Sequence, residues 1–210
     1  MAIKKIKVKV LAFDLMGVIY GHGHINREYS LDFLKFPASR YSLVSRLYKR
    51  YKVGQITKEE FWHNLGKSSL VEGKFLQKIK RSINKDFFTI IKKLDPNYQI
   101  VAVSDMPLSW AIGLLDINKN FTFDYSIISA WTGKKKDRSV VNFKELLKRM
   151  RVRGSEVLFI DDLLVNLKNA AKLGIRTVWF PQDFKRPEQK VRYRPDYQIK
   201  KLTDIIKIVK

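Results

Sequence analysis

Five short apolar runs rich in β-branched residues recur along the chain: Val8 to Phe13, Ile100 to Val103, Tyr125 to Ile128, Val157 to Ile160 and Thr177 to Phe180. Continuous apolar runs of this length, without alternation, read as strands buried on both faces of a parallel sheet. Between them the apolar residues switch to helical spacing. Phe87, Ile90, Ile91 and Leu94 follow it, as do Phe143, Leu146, Leu147 and Met150, and finally Leu202, Ile205, Ile206 and Val209. Strand, helix, strand is the rhythm of an α/β fold with a Rossmann-like, doubly wound parallel sheet.

The interval from Gly21 to Asn84 breaks that rhythm, since it carries helical patterns and no convincing strand. One predicted helix has Val44, Leu47, Tyr48 and Tyr51 on a single face and stops at Gly54. The next starts from Thr57, with Glu60 three residues on as a capping box and with Ile56 and Phe61 at the positions of a hydrophobic staple. The expected organisation is a core made of residues 1–20 and 85–210 and an inserted helical subdomain over residues 21–84. An insertion after the first strand would sit over the carboxyl ends of the strands, where ligands bind in open α/β sheets, and so is a candidate lid.

Composition narrows the class of protein. Hydrophobic residues make up 45% of the 210, enough for a packed core. With no cysteine, disulfides and thiolate metal sites are excluded, and any metal must use oxygen ligands or the three histidines. Basic residues precede the apolar run Val8 to Tyr20, but Asp14 interrupts it and no small-residue cleavage site follows, so the expectation is a soluble, cytoplasmic chain with no membrane partner. The 42 Lys and Arg exceed the 20 Asp and Glu by 22. Such a field attracts polyanions. The basic residues are spread over the chain, with denser stretches at Lys134 to Arg138, Lys148 to Arg153 and Lys185 to Arg194, and no aromatic-interleaved motif accompanies them. Nucleic acid as a partner is therefore supported by net charge alone.

The candidate chemistry lies at the strand ends. Asp14 closes the first apolar run, and Gly17 three residues later lets the chain turn sharply. Asp161 and Asp162 follow Val157 to Ile160; adjacent acids repel and raise each other's pKa, which a bound cation reverses. Ser104 and Asp105 follow Ile100 to Val103, and Lys134, Lys135 and Lys136 follow the Tyr125 to Ile128 run. Each alone reads as a turn, a cap or a wet loop. In the order acid, hydroxyl, lysine, acid pair they form a phosphate-transfer constellation, and carboxylate oxygens are what magnesium prefers.

Asp14 to Ile19, Ser104-Asp105, Gly133 to Lys136 and Phe159 to Asp162 with Asn166, Ala170, Ala171 and Gly174 resemble the four ordered motifs of the haloacid dehalogenase-like hydrolase superfamily. Ile56, Glu60, Phe61 and Trp62 are similar to the helical cap of its branch containing glucose-1-phosphatase-like sugar phosphatases. The resemblance implies a phosphatase with Asp14 as nucleophile, forming an aspartyl-phosphate on a small phosphorylated substrate. It implies Mg²⁺ held by Asp14, by Asp162 with Asp161 close by, and by the main-chain carbonyl of Met16. Ser104 and the amide of Asp105 would hold phosphoryl oxygens, and Lys136 would neutralise charge.

The pattern departs from the family in two places. Asp137 and Ser139 stand where prolines normally follow the lysine, whose spacing to the acid pair is about one residue long, so Lys134 or Lys135 competes for the role. Met16 stands where phosphatases of this family carry a second aspartate that protonates the leaving group. Loss of a general acid costs about 10²- to 10⁴-fold in rate. Three readings follow: a slow phosphatase, or one suited to good leaving groups, with His22, His24 or Arg27 as nearby substitute acids; a dehalogenase, for which an acid pair has no purpose; or a basic binding module on a weakened catalytic core.

Overall fold

The computed structural model describes residues 5–21, 38–94, 96–118, 121–181 and 191–210. Its sheet contains β1 (Val10–Phe13), β2 (Gln99–Ser104), β3 (Tyr125–Ile128), β4 (Val157–Asp161), β5 (Arg176–Trp179) and β6 (Tyr197–Gln198). All neighbours are parallel, in the order β3-β2-β1-β4-β5-β6. This is the Rossmann-like order, and the direction of winding reverses between β1 and β4. Phe13 lies opposite both Ala102 and Ile160, so β1, β2 and β4 run out at one edge.

Every residue of β1 is buried because helices cover both faces of the sheet. Val10 and Ala12 pack with Phe143 of α7 (Val141–Met150) and Leu167 of α8 (Leu164–Ala171). Leu11 and Phe13 join the other layer, with Phe87 and Ile90 of α4 (Lys85–Lys93) and with Ile205 and Ile208 of α9 (Ile205–Ile208). Phe13 meets Phe87 edge to face at 5.5 Å.

Between β1 and α4 stand α1 (Tyr41–Tyr51), α2 (Lys58–Asn64) and α3 (Val71–Lys80). As predicted, Val44, Leu47 and Tyr51 are the buried face of α1. The capping box of α2 also forms: the Glu60 amide donates to Thr57 Oγ1 at 3.1 Å, and the Thr57 amide to Glu60 Oε2 at 2.7 Å. Aromatic rings join these helices to α5 (Leu108–Leu115), whose Trp110 packs against Tyr48 at 5.4 Å and Phe75 at 4.8 Å. Within this layer the buried Glu72 accepts hydrogen bonds from Tyr51 Oη and Trp62 Nε1, both at 2.8 Å, and Tyr51 Oη also pairs with Ser109 Oγ.

The short α6 (Ser129–Thr132) follows β3 directly. The turn after α1 docks against it, because Ser129 Oγ donates to the Lys52 carbonyl at 2.5 Å. Gly54, at φ +70°, approaches Ala130 so closely that a Cβ would lie 2.7 Å from its carbonyl oxygen. Among the described residues no helix is long and apolar enough to cross a membrane. Two sequence readings differ from the structure. The predicted terminal helix is a 3-10 turn (Leu202–Asp204) followed by the four residues of α9, and β6 is an added edge strand.

Candidate active site at the strand ends

Asp14 leaves β1 at the switch point and is only 6% exposed. Its Oδ1 accepts the amide of Leu15 and the hydroxyl of Ser104, each at 2.7 Å, while Oδ2 lies 2.9 Å from Lys136 Nζ. The segment that follows bonds to itself, Tyr20 N–H to the Leu15 carbonyl and Gly17 N–H to the Tyr20 carbonyl, at 2.8 Å each. Gly17 is required there twice over. Its φ is +88°, and a Cβ would stand 2.5 Å from Asp162 Oδ2. The Met16 carbonyl accepts no hydrogen bond from the described residues, and its side chain is half-buried against the apolar layer.

At the end of β4, Asp161 and Asp162 are almost fully buried. Asp161 Oδ1 accepts the Leu163 amide at 2.7 Å, and Asn166 Nδ2 donates to both of its oxygens. Trp179 Nε1 ties down the Asp162 carbonyl at 3.0 Å. One oxygen from each of Asp14, Asp161 and Asp162 falls within 4.8 Å of the others.

Lys136 joins the two acidic strand ends. Completely buried, it donates from Nζ to Asp14 Oδ2 at 2.9 Å, Asp161 Oδ2 at 2.8 Å and the Val103 carbonyl at 2.9 Å. Its main chain is held too: the amide donates to both Asp105 oxygens at 3.0 Å, and the carbonyl accepts from Asn169 Nδ2 at 2.8 Å. Lys134 is exposed, and Lys135 pairs with Asp137 at 3.0 Å, so of the three candidates Lys136 is the one that reaches the acids.

Burial alone would lower the Lys136 pKa, but the pull of Asp14, Asp161 and Asp105 outweighs it and leaves the pKa above the ordinary lysine value. Asp161 is pushed well above the carboxylate range, first by burial and then by Asp14 and Asp162, in spite of Lys136. Asp105 is likewise raised by burial, against Lys136 and Lys52. Three clustered carboxylates against one ammonium leave a formal −2. That donor set, all oxygen and short of positive charge, fits a divalent cation.

The remaining sequence candidates are placed differently. Trp110 is buried against the aromatic layer, its Nε1 without an acceptor among the described residues, whereas Trp131 is 52% exposed beside β3. His22, His24 and Arg27 lie outside the described residues, as does most of the Lys185 to Arg194 stretch. Sequence reasoning missed the part played by the Asp105 carboxylate, which holds the lysine loop in register, and by Asn169, which does the same from α8.

No family model matches the sequence, and no curated protein matches it. Solved structures do. A predicted haloacid dehalogenase-like family hydrolase from Porphyromonas gingivalis is 25% identical, with 85% of this chain and 93% of that one aligned at a TM-score of 0.68. A family enzyme from Bacteroides thetaiotaomicron, solved with magnesium and inorganic phosphate, is 20% identical over 88% of this chain and 100% of its own, also at 0.68. A 2-haloacid dehalogenase from Pseudomonas syringae is 17% identical over 94% and 96%, at 0.63. The fold shared with these structures, together with the ordered residues at the strand ends, makes this chain a member of the haloacid dehalogenase-like superfamily.

Proposed function

We propose that the protein is a cytoplasmic, Mg²⁺-dependent phosphatase that cleaves a small phosphorylated metabolite through an aspartyl-phosphate on Asp14, with residues 21–84 as a cap over the site. The observation that carries this reading is the buried cluster of Asp14, Asp161 and Asp162 bridged by Lys136, with Ser104 on the nucleophile. The Bacteroides enzyme of the same fold, solved with magnesium and inorganic phosphate, supports it by analogy.

Asp14, Asp162 and the Met16 carbonyl would hold Mg²⁺, with Asp161 beside them, and the ion would supply charge neutralisation at the phosphoryl oxygens. An Asp14 oxygen attacks phosphorus, and the bond from phosphorus to the leaving oxygen breaks with its electron pair on the departing group. Ser104 Oγ and the Asp105 amide receive phosphoryl oxygens, and the Lys136 ammonium offsets charge between them and Asp14. Water then adds to phosphorus, phosphate departs and the Asp14 carboxylate is restored. Met16 offers no proton to the leaving group, so substrates whose leaving group departs as a stable anion, acyl or aryl phosphates, are favoured.

Hydrolysis of acyl, aryl and alkyl phosphates, with Mg²⁺ or with chelator, tests the reading. Turnover is expected to need both the metal and Asp14, to favour acyl and aryl esters, and to fall by about 10⁴-fold or more in Asp14→Asn. Met16→Asp is expected to raise alkyl ester turnover by about 10²- to 10⁴-fold. Wild type and Asp14→Asn equally inert on every ester would overturn the phosphatase, and halide release from a 2-haloacid would replace it with a dehalogenase.

A further inference from the structure

Two polar side chains of the insertion have no use in the chemistry above. Tyr48 lies in α1 and Lys52 one turn later, immediately after the helix ends. Lys52 Nζ stands 4.9 Å from the centre of the Tyr48 ring. The backbone beneath them is fixed, since the Lys52 carbonyl accepts from Ser129 and Gly54 is wedged against Ala130. Neither the Tyr48 hydroxyl nor the Lys52 ammonium makes a hydrogen bond or ion pair with a described residue.

Both groups nevertheless sense the strand ends. The Tyr48 hydroxyl is pushed upward in pKa by burial, then by Asp105 and Asp14. Lys52 is pushed downward, first by burial, with Asp105 and Asp14 among the acids acting against that. Tyr48 packs on Trp110 at 5.4 Å, and Ser129, which holds the Lys52 carbonyl, also approaches the Met106 carbonyl at 3.5 Å, so both residues stand beside the segment that follows Ser104 and Asp105. Here a cation and a hydroxyl, four residues apart and half-buried, share the field of Asp14 and Asp105 and keep open donor capacity among the described residues. The transferred phosphoryl group already has donors in Ser104 and Lys136.

We propose that the Tyr48 hydroxyl and the Lys52 ammonium form a second anion subsite, which receives a carboxylate or a second phosphate on the part of the substrate that is not transferred. The assignment rests on the phosphatase reading for where the phosphoryl end lies. It makes the preferred substrates bifunctional, with two separate acidic groups, and gives the insertion a specific part in selecting them.

Phosphonates test this without turnover, because their C–P bond is not cleaved. Phenylphosphonate, 4-carboxyphenylphosphonate and 1,4-phenylenediphosphonate would be titrated calorimetrically into the whole protein with Mg²⁺. At least one of the two bifunctional ligands is expected to bind roughly ten- to a hundredfold more tightly than phenylphosphonate, the range of one charge-assisted contact, and the tighter one names the group. Lys52→Met should erase that advantage and leave phenylphosphonate unchanged, Lys52→Arg should restore most of it, and Tyr48→Phe should lose a smaller part. Thermal unfolding of each variant checks its fold, with Lys52→Gln as the substitute should Lys52→Met not fold. No advantage in wild type, or an equal loss for all three ligands, overturns the subsite. A Lys52-dependent preference in a protein inert toward every phosphate ester would keep the subsite and remove the phosphatase.

Discussion

Two parts of this molecule bury carboxylates, and they do so in opposite ways. Glu72, 2% exposed among the helices between β1 and α4, receives neutral donors from Tyr51 and Trp62 and ties α1, α2 and α3 together. At the strand ends Asp14 and Asp161 share a single ammonium with Asp162 within 4.8 Å of both, and Asp161 stays far above the ordinary carboxylate pKa even with that ammonium in contact. The first arrangement satisfies its acid with what the chain supplies. The second leaves charge over, and burial of an acid therefore says little about chemistry until its partners are counted.

The largest expected effect comes from removing the one cation that the acids share. Lys136→Met leaves Asp14 and Asp161 facing each other in a buried site and is expected to destabilise the fold by about 3–5 kcal/mol in urea denaturation, with Mg²⁺ recovering part of the loss. Because the folded pKa of Lys136 is raised, its contribution is complete below the unfolded lysine pKa of about 10 and is lost as pH climbs beyond it. Glu72→Ala ranks next. Stranding Tyr51 Oη and Trp62 Nε1 is expected to cost about 1–3 kcal/mol, and Mg²⁺ should not change that figure. A Glu72 variant rescued by the metal would erase the contrast between the two regions.

Mg²⁺ itself sharpens the contrast from the other side. At about a hundred times its Kd, a cation that binds only the native state adds roughly 2.7 kcal/mol. That increment is expected in wild type and in Glu72→Gln and should be missing in Asp162→Asn. The smallest effect belongs to an acid outside both regions, the half-buried Glu156. Its pKa is held down at about 2 by the hydrogen bond from Lys9 and then by the Arg153 amide. Its stabilising contribution is present above the unfolded pKa and fades as pH falls from about 4.5 through 2, so Glu156→Gln should flatten the acid limb of the stability curve and nothing else.

What could be read from the sequence followed the strength of each physical signal. β1, β2 and β4 were legible because strands buried on both faces must be almost continuously apolar, and β3 and β5, buried only in part, still carry short apolar or β-branched runs. β6 was not: its two residues, Tyr197 and Gln198, follow Pro195 and Asp196, and the segment is positioned largely by Asp196 bonding to Thr177. α5 was hidden because Leu108 to Leu115 is apolar almost throughout and shows no period. Leu202 and Ile205 are buried as their spacing predicted, yet Asp204 bonds back to the Lys201 amide and the segment opens as a 3-10 turn.

The site was legible as an ordering of residue types at strand ends, and the choice between Lys134, Lys135 and Lys136 was not. Three consecutive identical side chains differ only in where the backbone aims them, and that aim is set by Asp105 and Asn169 from other elements. Lys52 was invisible for a different reason. It is one basic residue among 42 Lys and Arg, and only its position after α1, beside Tyr48, separates it from the rest.

The central place of β1 has a consequence in time. Bonded to β2 on one side and β4 on the other, it has no free edge, while β3 and β6 each leave one open. The amides of Leu11 to Phe13 are thus expected to exchange hydrogen only when the whole molecule opens, whereas the helices before α4 exchange through smaller, more frequent excursions. The strand that carries Asp14 and the helices packed before α4 are expected to open on different timescales, so the helices can rearrange while the strand stays in register.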